Sequence, residues 1–243
     1  VRVQQDFDLY FKIYTREVQL AGDIRIEGLP ATGLQVGHPR ELQPTREEVD
    51  GRVYRVRRFK ARGRALTAGS FTLQPSLQVQ VVLPREQGRR SRSLFESFFG
   101  DDDPFGFTTR ARARPVALSV EPLTLEAEPL PAEGQPESFN GAVGQFDFEV
   151  QVEPRTLTAG DPLTLTMRIG GRGNIDQVTP PTLPFGDDFK VYEAEMTADD
   201  TDPRQDAGRR IFEQVVIPRT TNSTPLPAVS FSYFDPQAGA YRT

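Results

Sequence analysis

Apolar residues recur at every second position in two separated stretches of this chain, and the two stretches echo each other. Phe7, Leu9, Phe11 and Ile13 alternate with polar residues, and so do Leu163, Leu165, Met167 and Ile169. Leu34-Gln35-Val36 answers Phe189-Lys190-Val191, and Pro75 with Leu77, Val79 and Val81 answers Pro227 with Val229, Phe231 and Tyr233. A period of two puts alternate side chains on one face of a strand, so each stretch reads as half-buried sheet. A repeat offset of roughly 150 residues fits tandem domains that each carry a core.

The remaining composition agrees with strands and turns. The chain holds 20 Gly and 21 Pro in 243 residues, which favours short strands over long helices. The expected fold is all-β, built as tandem immunoglobulin-like β-sandwich domains. The first module spans 1–130 and carries a long loop at 85–106. A linker or junction follows at 131–144, and the second module spans 145–243. Locally, Thr45-Arg46-Glu47-Glu48 reads as a short helix, and 94–99 as one helical turn inside the loop. Phe59 breaks the parity set by Tyr54 and Val56, which predicts a bulge. Residues 197–208 read as an acidic loop. The second module has a strand at 146–152 ahead of its Leu163 strand, and the first has only 1–5 ahead of Phe7. The first module closes with 116–125, for which the second offers no equivalent. Both strand sets are therefore expected to be incomplete, the opening strand missing from the first and the closing strand from the second, as in a portion of a longer protein.

Several function classes are disfavoured. Net charge is −5, with 15 acids against 9 Lys or Arg over residues 146–243 and 19 against 20 over residues 1–145. That balance argues against nucleic-acid binding. Without cysteine there is no disulfide, thiolate metal site or cysteine nucleophile. No apolar run of about 18 residues is present to span a membrane. A histidine triad or zinc site would rest on His38 alone, which reads as a loop residue. Asp101-Asp102-Asp103 and Asp199-Asp200-Thr201-Asp202 lack the spacing of an EF-hand and read as solvated loops. Nucleotide-binding and hydrolase fingerprints are absent. No cofactor and no catalytic or metal residue is expected.

Two surfaces stand out. Residues 51–84 contain no acid, while Arg55, Arg57, Arg58, Lys60 and Arg62 crowd one strand. They suit an acidic partner or anionic headgroups, or else pair with acids across the sheet. Phe95, Phe98, Phe99, Phe105 and Phe107 crowd the 85–106 loop and its end. Leaving that much apolar area in water costs about 25 cal/mol per Å². The loop either folds back on its module or docks a partner.

The second module also resembles the BatD family, the oxygen-tolerance proteins of bacterial aerotolerance operons. The matching residues are Leu130-Pro131, Phe139-Asn140-Gly141-Ala142-Val143-Gly144, Thr158-Ala159-Gly160-Asp161-Pro162-Leu163-Thr164-Leu165, and Gly171-Arg172-Gly173-Asn174. Pro181-Thr182-Leu183-Pro184, Phe189-Lys190-Val191-Tyr192 and the run from Val229 to Pro236 complete them, and Lys12-Ile13-Tyr14-Thr15-Arg16 is similar in the first module. Each of these motifs also has a plain turn or strand reading. The resemblance implies a non-catalytic scaffold on the periplasmic, extracytoplasmic face of the bacterial inner membrane. It implies von Willebrand A-domain proteins and a MoxR-type AAA+ ATPase as partners, and membrane attachment through segments absent from this chain. A carbohydrate- or peptide-binding sandwich is the alternative.

Overall fold

A computed structural model describes residues 1–29, 32–82, 113–202, 207–220 and 226–243. Strand makes up 62% of it, and the one helical element among the described residues is a 3-10 turn at Ile175–Gln177. The fold is thus all-β, as the alternation predicts.

The first sandwich contains β1 (Asp6–Thr15), β2 (Gln19–Glu27), β3 (Leu34–Val36), β4 (Arg40–Val49), β5 (Arg52–Ala65), β6 (Gly69–Leu73), β7 (Ser76–Val82), β8 (Ala113–Ser119) and β9 (Leu123–Ala127). β5 is the spine of one layer, pairing with β1 on one side and with β3 and β4 on the other. Leu9, Ala61 and Leu34 from that layer meet Phe71, Leu73 and Ala127 from the β6–β9 pair. Ile13 and Phe59 meet Leu77 and Val79 of the β2-β7-β8 sheet. Period-two burial on β1 and β7 thus becomes a two-layer core.

The second sandwich contains β10 (Phe139–Glu153), β11 (Leu163–Gly173), β12 (Phe189–Val191), β13 (Glu195–Asp200), β14 (Ala207–Pro218), β15 (Ser232–Asp235) and β16 (Ala240–Arg242). β14 repeats the role of β5, with β11 on one side and β12 and β13 on the other. The repeated sequence therefore builds one topology twice: β1, β3, β4 and β5 correspond to β11, β12, β13 and β14. β10 is shared between two ladders. Phe139 and Val143 pair in parallel with β15, and from Gly144 onward the strand pairs antiparallel with β11. Phe146, Met167, Ile169, Phe212 and Phe231 fill the core beneath.

Four local expectations are corrected. Residues 45–48 are not helical but lie in β4, where Thr45, Glu47 and Glu48 face β5 residues. A sheet ladder outweighs the helix preference of a four-residue polar stretch, too short to nucleate alone. The irregularity expected at Phe59 sits across the sheet, on β4 between Leu42 and Thr45, while β5 pairs with β1 without a break. Pro44, which has no N–H to give a ladder, occupies that shift. Residues 139–144, read as part of the junction, form the first turn-free stretch of β10, because β15 supplies a partner. Within the acidic 197–208 stretch, 197–200 and 207–208 belong to the paired strands β13 and β14, in which Asp199 and Asp200 stand opposite Arg210 and Arg209.

Candidate interaction surfaces

The basic strand is β5, and Arg57, Lys60 and Arg62 are met by acids on the strands beside it. Arg57 donates through Nε and Nη2 to both carboxylate oxygens of Glu41 on β4, at 2.6 Å each. Its guanidinium also lies 5.7 Å from the Phe59 ring centroid. Lys60 Nζ is 2.9 Å from Asp8 Oδ2 on β1. Arg58 donates to the Gln43 carbonyl oxygen, and Arg62 lies 3.9 Å from Asp6. Arg55 stands opposite Thr15 and Arg46 at the far end of the ladder. At Arg57, Lys60 and Arg62 the arrangement is cross-strand pairing with acids. On the same face, Lys12 and the Tyr14 hydroxyl both donate to Glu47.

At the end of β5 the pairing leaves the first sandwich. Arg64 is 8% exposed. Its Nε donates to Asp6 Oδ1 at 2.6 Å, and Nη1 and Nη2 donate to the two oxygens of Asp176 at 2.9 and 2.7 Å. Asp176 belongs to the 3-10 turn of the second sandwich, so one guanidinium fork joins the two repeats. Burial works against ionising Asp176, but donation from Arg64 and Gln177 prevails and holds its carboxyl below the usual range. Arg64 is in turn held more firmly protonated than an ordinary arginine: burial opposes its charge, and the hydrogen bonds to Asp176 and Asp6 outweigh it. Beside this clamp runs a cleft of about 270 Å³ between the sandwiches, lined by Asp6, Asp8, Arg62, Gln145, Arg172 and Gln237 among others. Both signs of charge line it, and its lining holds no serine, threonine, cysteine, lysine or histidine.

The glycine and asparagine motifs form the crossing of β10 and β11. Asn174 is 1% exposed. Its Oδ1 accepts from the Val143 N–H at 2.7 Å, and its Nδ2 donates to the Gly141 carbonyl at 2.9 Å. Gly144, Gly171 and Gly173 have φ of 151°, 152° and 133°, and a Cβ at any of them would meet backbone atoms of the facing strand. Asp235 opens the final turn, accepting from the N–H groups of Gln237 and Ala238. These residues hold the strand crossing and the final turn in place.

The other sequence candidates separate by place. His38 is an exposed residue between β3 and β4. Asp199 pairs with Arg210 at 2.9 Å, and no cluster of three potential metal ligands occurs among the described residues. No helix among the described residues is long and apolar enough to cross a membrane. Phe95, Phe98, Phe99, Phe105, Phe107 and the Asp101-Asp102-Asp103 run lie outside the described residues. Sequence reasoning missed Arg64 and Asp176 as a pair. The absence of acids in 51–84 marked the strand as basic, but no local signal linked it to an acid 112 residues away.

One pH prediction arises here. Glu41, Glu47, Asp176, Asp199 and Asp235 all titrate below their ordinary values. The leading causes are donation from Arg57 to Glu41 and from Lys12 to Glu47. For Asp199 it is donation from Thr201 and then Arg210. In Asp235, as in Asp176, burial opposes and hydrogen bonds prevail. A depressed folded pKa stabilises above the unfolded value and is lost as pH falls through the folded value. The melting temperature should hold from neutrality to about pH 5 and drop below about pH 4, where unfolded carboxylates take up protons. A melting temperature that rises on acidification to pH 3 would contradict these pairings.

The architecture defines a class: paired immunoglobulin-like sandwiches joined by a charged clamp. Residues 150–243 match the BatD family model, described as a BatD DUF11 like domain, in agreement with the resemblance read in the motifs of the second module. No curated protein and no solved structure matches the chain.

Proposed function

We propose that this chain is a non-catalytic scaffold of a bacterial cell-envelope complex, working on the periplasmic face of the inner membrane. Its partners are von Willebrand A-domain proteins, linked to a MoxR-type AAA+ ATPase system, in oxygen tolerance or a related stress response. The observation that carries this reading is the match to the BatD family model at residues 150–243. The fold supports it, since the family motifs serve strand crossings and turns and the charged residues serve to hold sandwiches together.

The test is affinity capture from cross-linked envelopes of the source organism. Stoichiometric recovery of a von Willebrand A-domain protein supports the scaffold. Retention on glycans with no such protein overturns it in favour of a carbohydrate-binding module. Within this reading, the segment carrying Phe95, Phe98, Phe99, Phe105 and Phe107 is the proposed docking element. Aromatic anchors in a partner pocket commonly contribute about 2 kcal/mol or more. Phe98→Ala with Phe99→Ala should leave the melting temperature unchanged and cut partner recovery at least about tenfold. A fall in melting temperature, with recovery tracking only the folded fraction, means that the segment is core and that docking fails.

A further inference from the structure

We infer that the chain associates with a second copy of itself, the outer face of the first sandwich in one copy packing on the outer face of the second sandwich in the other. The inference stands apart from the proposed function and rests on comparing the two repeats. One topology serves both, so a difference between matched positions is not demanded by the fold. The ladders fix which positions match. Gln4 N–H donates to Ala65 O at 2.8 Å, and Gly160 N–H donates to Pro218 O at 2.9 Å. Leu34 stands opposite Ala65, and Phe189 opposite Pro218. In register from there, the row Tyr10, Lys60 and Arg40 matches the row Thr166, Glu213 and Glu195. The row Lys12, Arg58 and Leu42 matches Arg168, Ile211 and Ala198. These rows lie on the face turned away from the core, because the alternate positions, among them Leu9, Phe59, Met167 and Phe212, fill it.

Matched rows carry opposite charge. Lys60 and Arg40 stand directly opposite each other in the first sandwich, and Glu213 and Glu195 do so in the second. Lys12 opposite Arg58 is a further pair of cations. Like charges directly opposite destabilise a sheet, so neither arrangement is explained by the sandwich that holds it. Each is relieved by the other. From the row of Asp6 to the row of Glu47, the first outer face holds Lys12, Arg40, Arg58, Lys60, Arg62 and Arg64 against Asp6, Asp8 and Glu47. That is six cations to three acids, a net +3. The matching rows of the second hold Asp147, Glu149, Glu153, Glu195, Asp200 and Glu213 against Arg168, Arg172, Lys190 and Arg209. That is six acids to four cations, a net −2. Lys12 bonds Glu47 and Lys60 pairs with Asp8, but Arg40 and Arg58 are held by no acid among the described residues. Glu195 and Glu213 are exposed and held by no cation among the described residues.

Apolar surface supplies the second argument. Tyr10 and Tyr14 on the first face are 61% and 42% exposed, and the Tyr14 ring meets that of Tyr54 edge-on, with centroids 6.1 Å apart. Their counterparts in the second sandwich are Thr166, Gly170 and Ala207, so the shared topology does not require rings at these positions. On the second face Val215 is exposed and Ile211 half-buried, on either side of Glu213. Tyrosines within a charged surround are the make-up of a protein–protein contact. Opposed charge brings the two faces together and fixes which face meets which. A first face on a second face is a contact between unlike surfaces, which closes a dimer where it is made reciprocally and extends into a chain where it is not.

The experiment is sedimentation velocity on residues 1–243 over a range of concentrations, in about 50 mM and about 500 mM salt. The chain should self-associate with Kd of about 100 μM or tighter at low salt, and at least about tenfold more weakly at high salt. Arg40→Glu with Arg58→Glu should abolish association, and so should Glu195→Lys with Glu213→Lys. Both double variants should keep the parent melting temperature, since each separates like charges or exchanges one sign for the other at the surface. Mixed in equal amounts, the two variants should associate again, because one brings an unaltered second face and the other an unaltered first face. A chain that stays monomeric at low salt up to about 500 μM overturns the inference. So does association that either double variant retains alone, or a mixture that remains monomeric while both variants are folded.

Discussion

Arg64→Ala should lower the stability of the folded chain by about 3 kcal/mol, as expected when one partner of a buried ion pair is removed. Asp6 has a side chain only 12% exposed, and its Oδ2 already lacks a hydrogen-bond partner. Without the guanidinium, Oδ1 loses its 2.6 Å donor as well. The carboxylate then keeps only the 3.9 Å ion pair with Arg62, too long for a hydrogen bond, and is left largely desolvated without a donor. Asp176 adds less, because its side chain is 42% exposed and water can replace the fork. Arg64→Lys should recover only part of the loss, since an ammonium cannot satisfy Asp6 and both oxygens of Asp176 in one plane. Denaturant unfolding measures both. The Ala variant should also unfold in two resolved steps, because the side chain that joins the sandwiches is gone. A single transition within about 0.5 kcal/mol of the parent would show that Arg64 is not a clamp.

The second large effect is expected at the crossing of β10 and β11. A Cβ on Gly171 would sit 2.2 Å from the Gln145 carbonyl oxygen, and one on Gly173 would sit 2.3 Å from that of Val143. Both contacts are with backbone, which cannot rotate away as a side chain can. The two strands would have to separate where Gly144 faces Gly173. Gly171→Ala and Gly173→Ala should each cost about 3 kcal/mol or more, in the range reserved for strain at special backbone positions. Gly160→Ala is the matched control. It too has positive φ, 94°, but a Cβ there meets nothing within 4 Å. Its cost should be about 1 to 2 kcal/mol, the penalty of the left-handed region alone. Equal effects at all three positions would mean that φ, and not close approach, explains the motif.

Much of this architecture is legible in the alternation. Phe7 to Ile13 and Leu163 to Ile169 announce β1 and β11, and the paired tripeptides at 34 and 189 announce β3 and β12. These elements are readable because each buries one face, so burial imprints a period of two on the sequence. The strands that escaped are those whose partners, not their own residues, decide the outcome. β4 is polar on both faces, with Glu41, Glu47 and Glu48 among its residues, and takes its conformation from the β5 ladder. β13 is exposed along its whole length and is likewise defined by β14. The same holds for the surface features. A run of cations in 51–84 is visible in the sequence, but the acids that neutralise it come from β1, β4 and the 3-10 turn. Only the folded register brings them together.

The proposed scaffold role requires that this chain bind an envelope partner. A calorimetric titration of purified residues 1–243 with the purified von Willebrand A-domain protein of the same envelope tests it. Saturable binding of one partner per chain with Kd below about 10 μM, corresponding to roughly −7 kcal/mol, is expected. No heat of binding at partner concentrations up to about 100 μM, a tenfold margin worth about 1.4 kcal/mol, would contradict it.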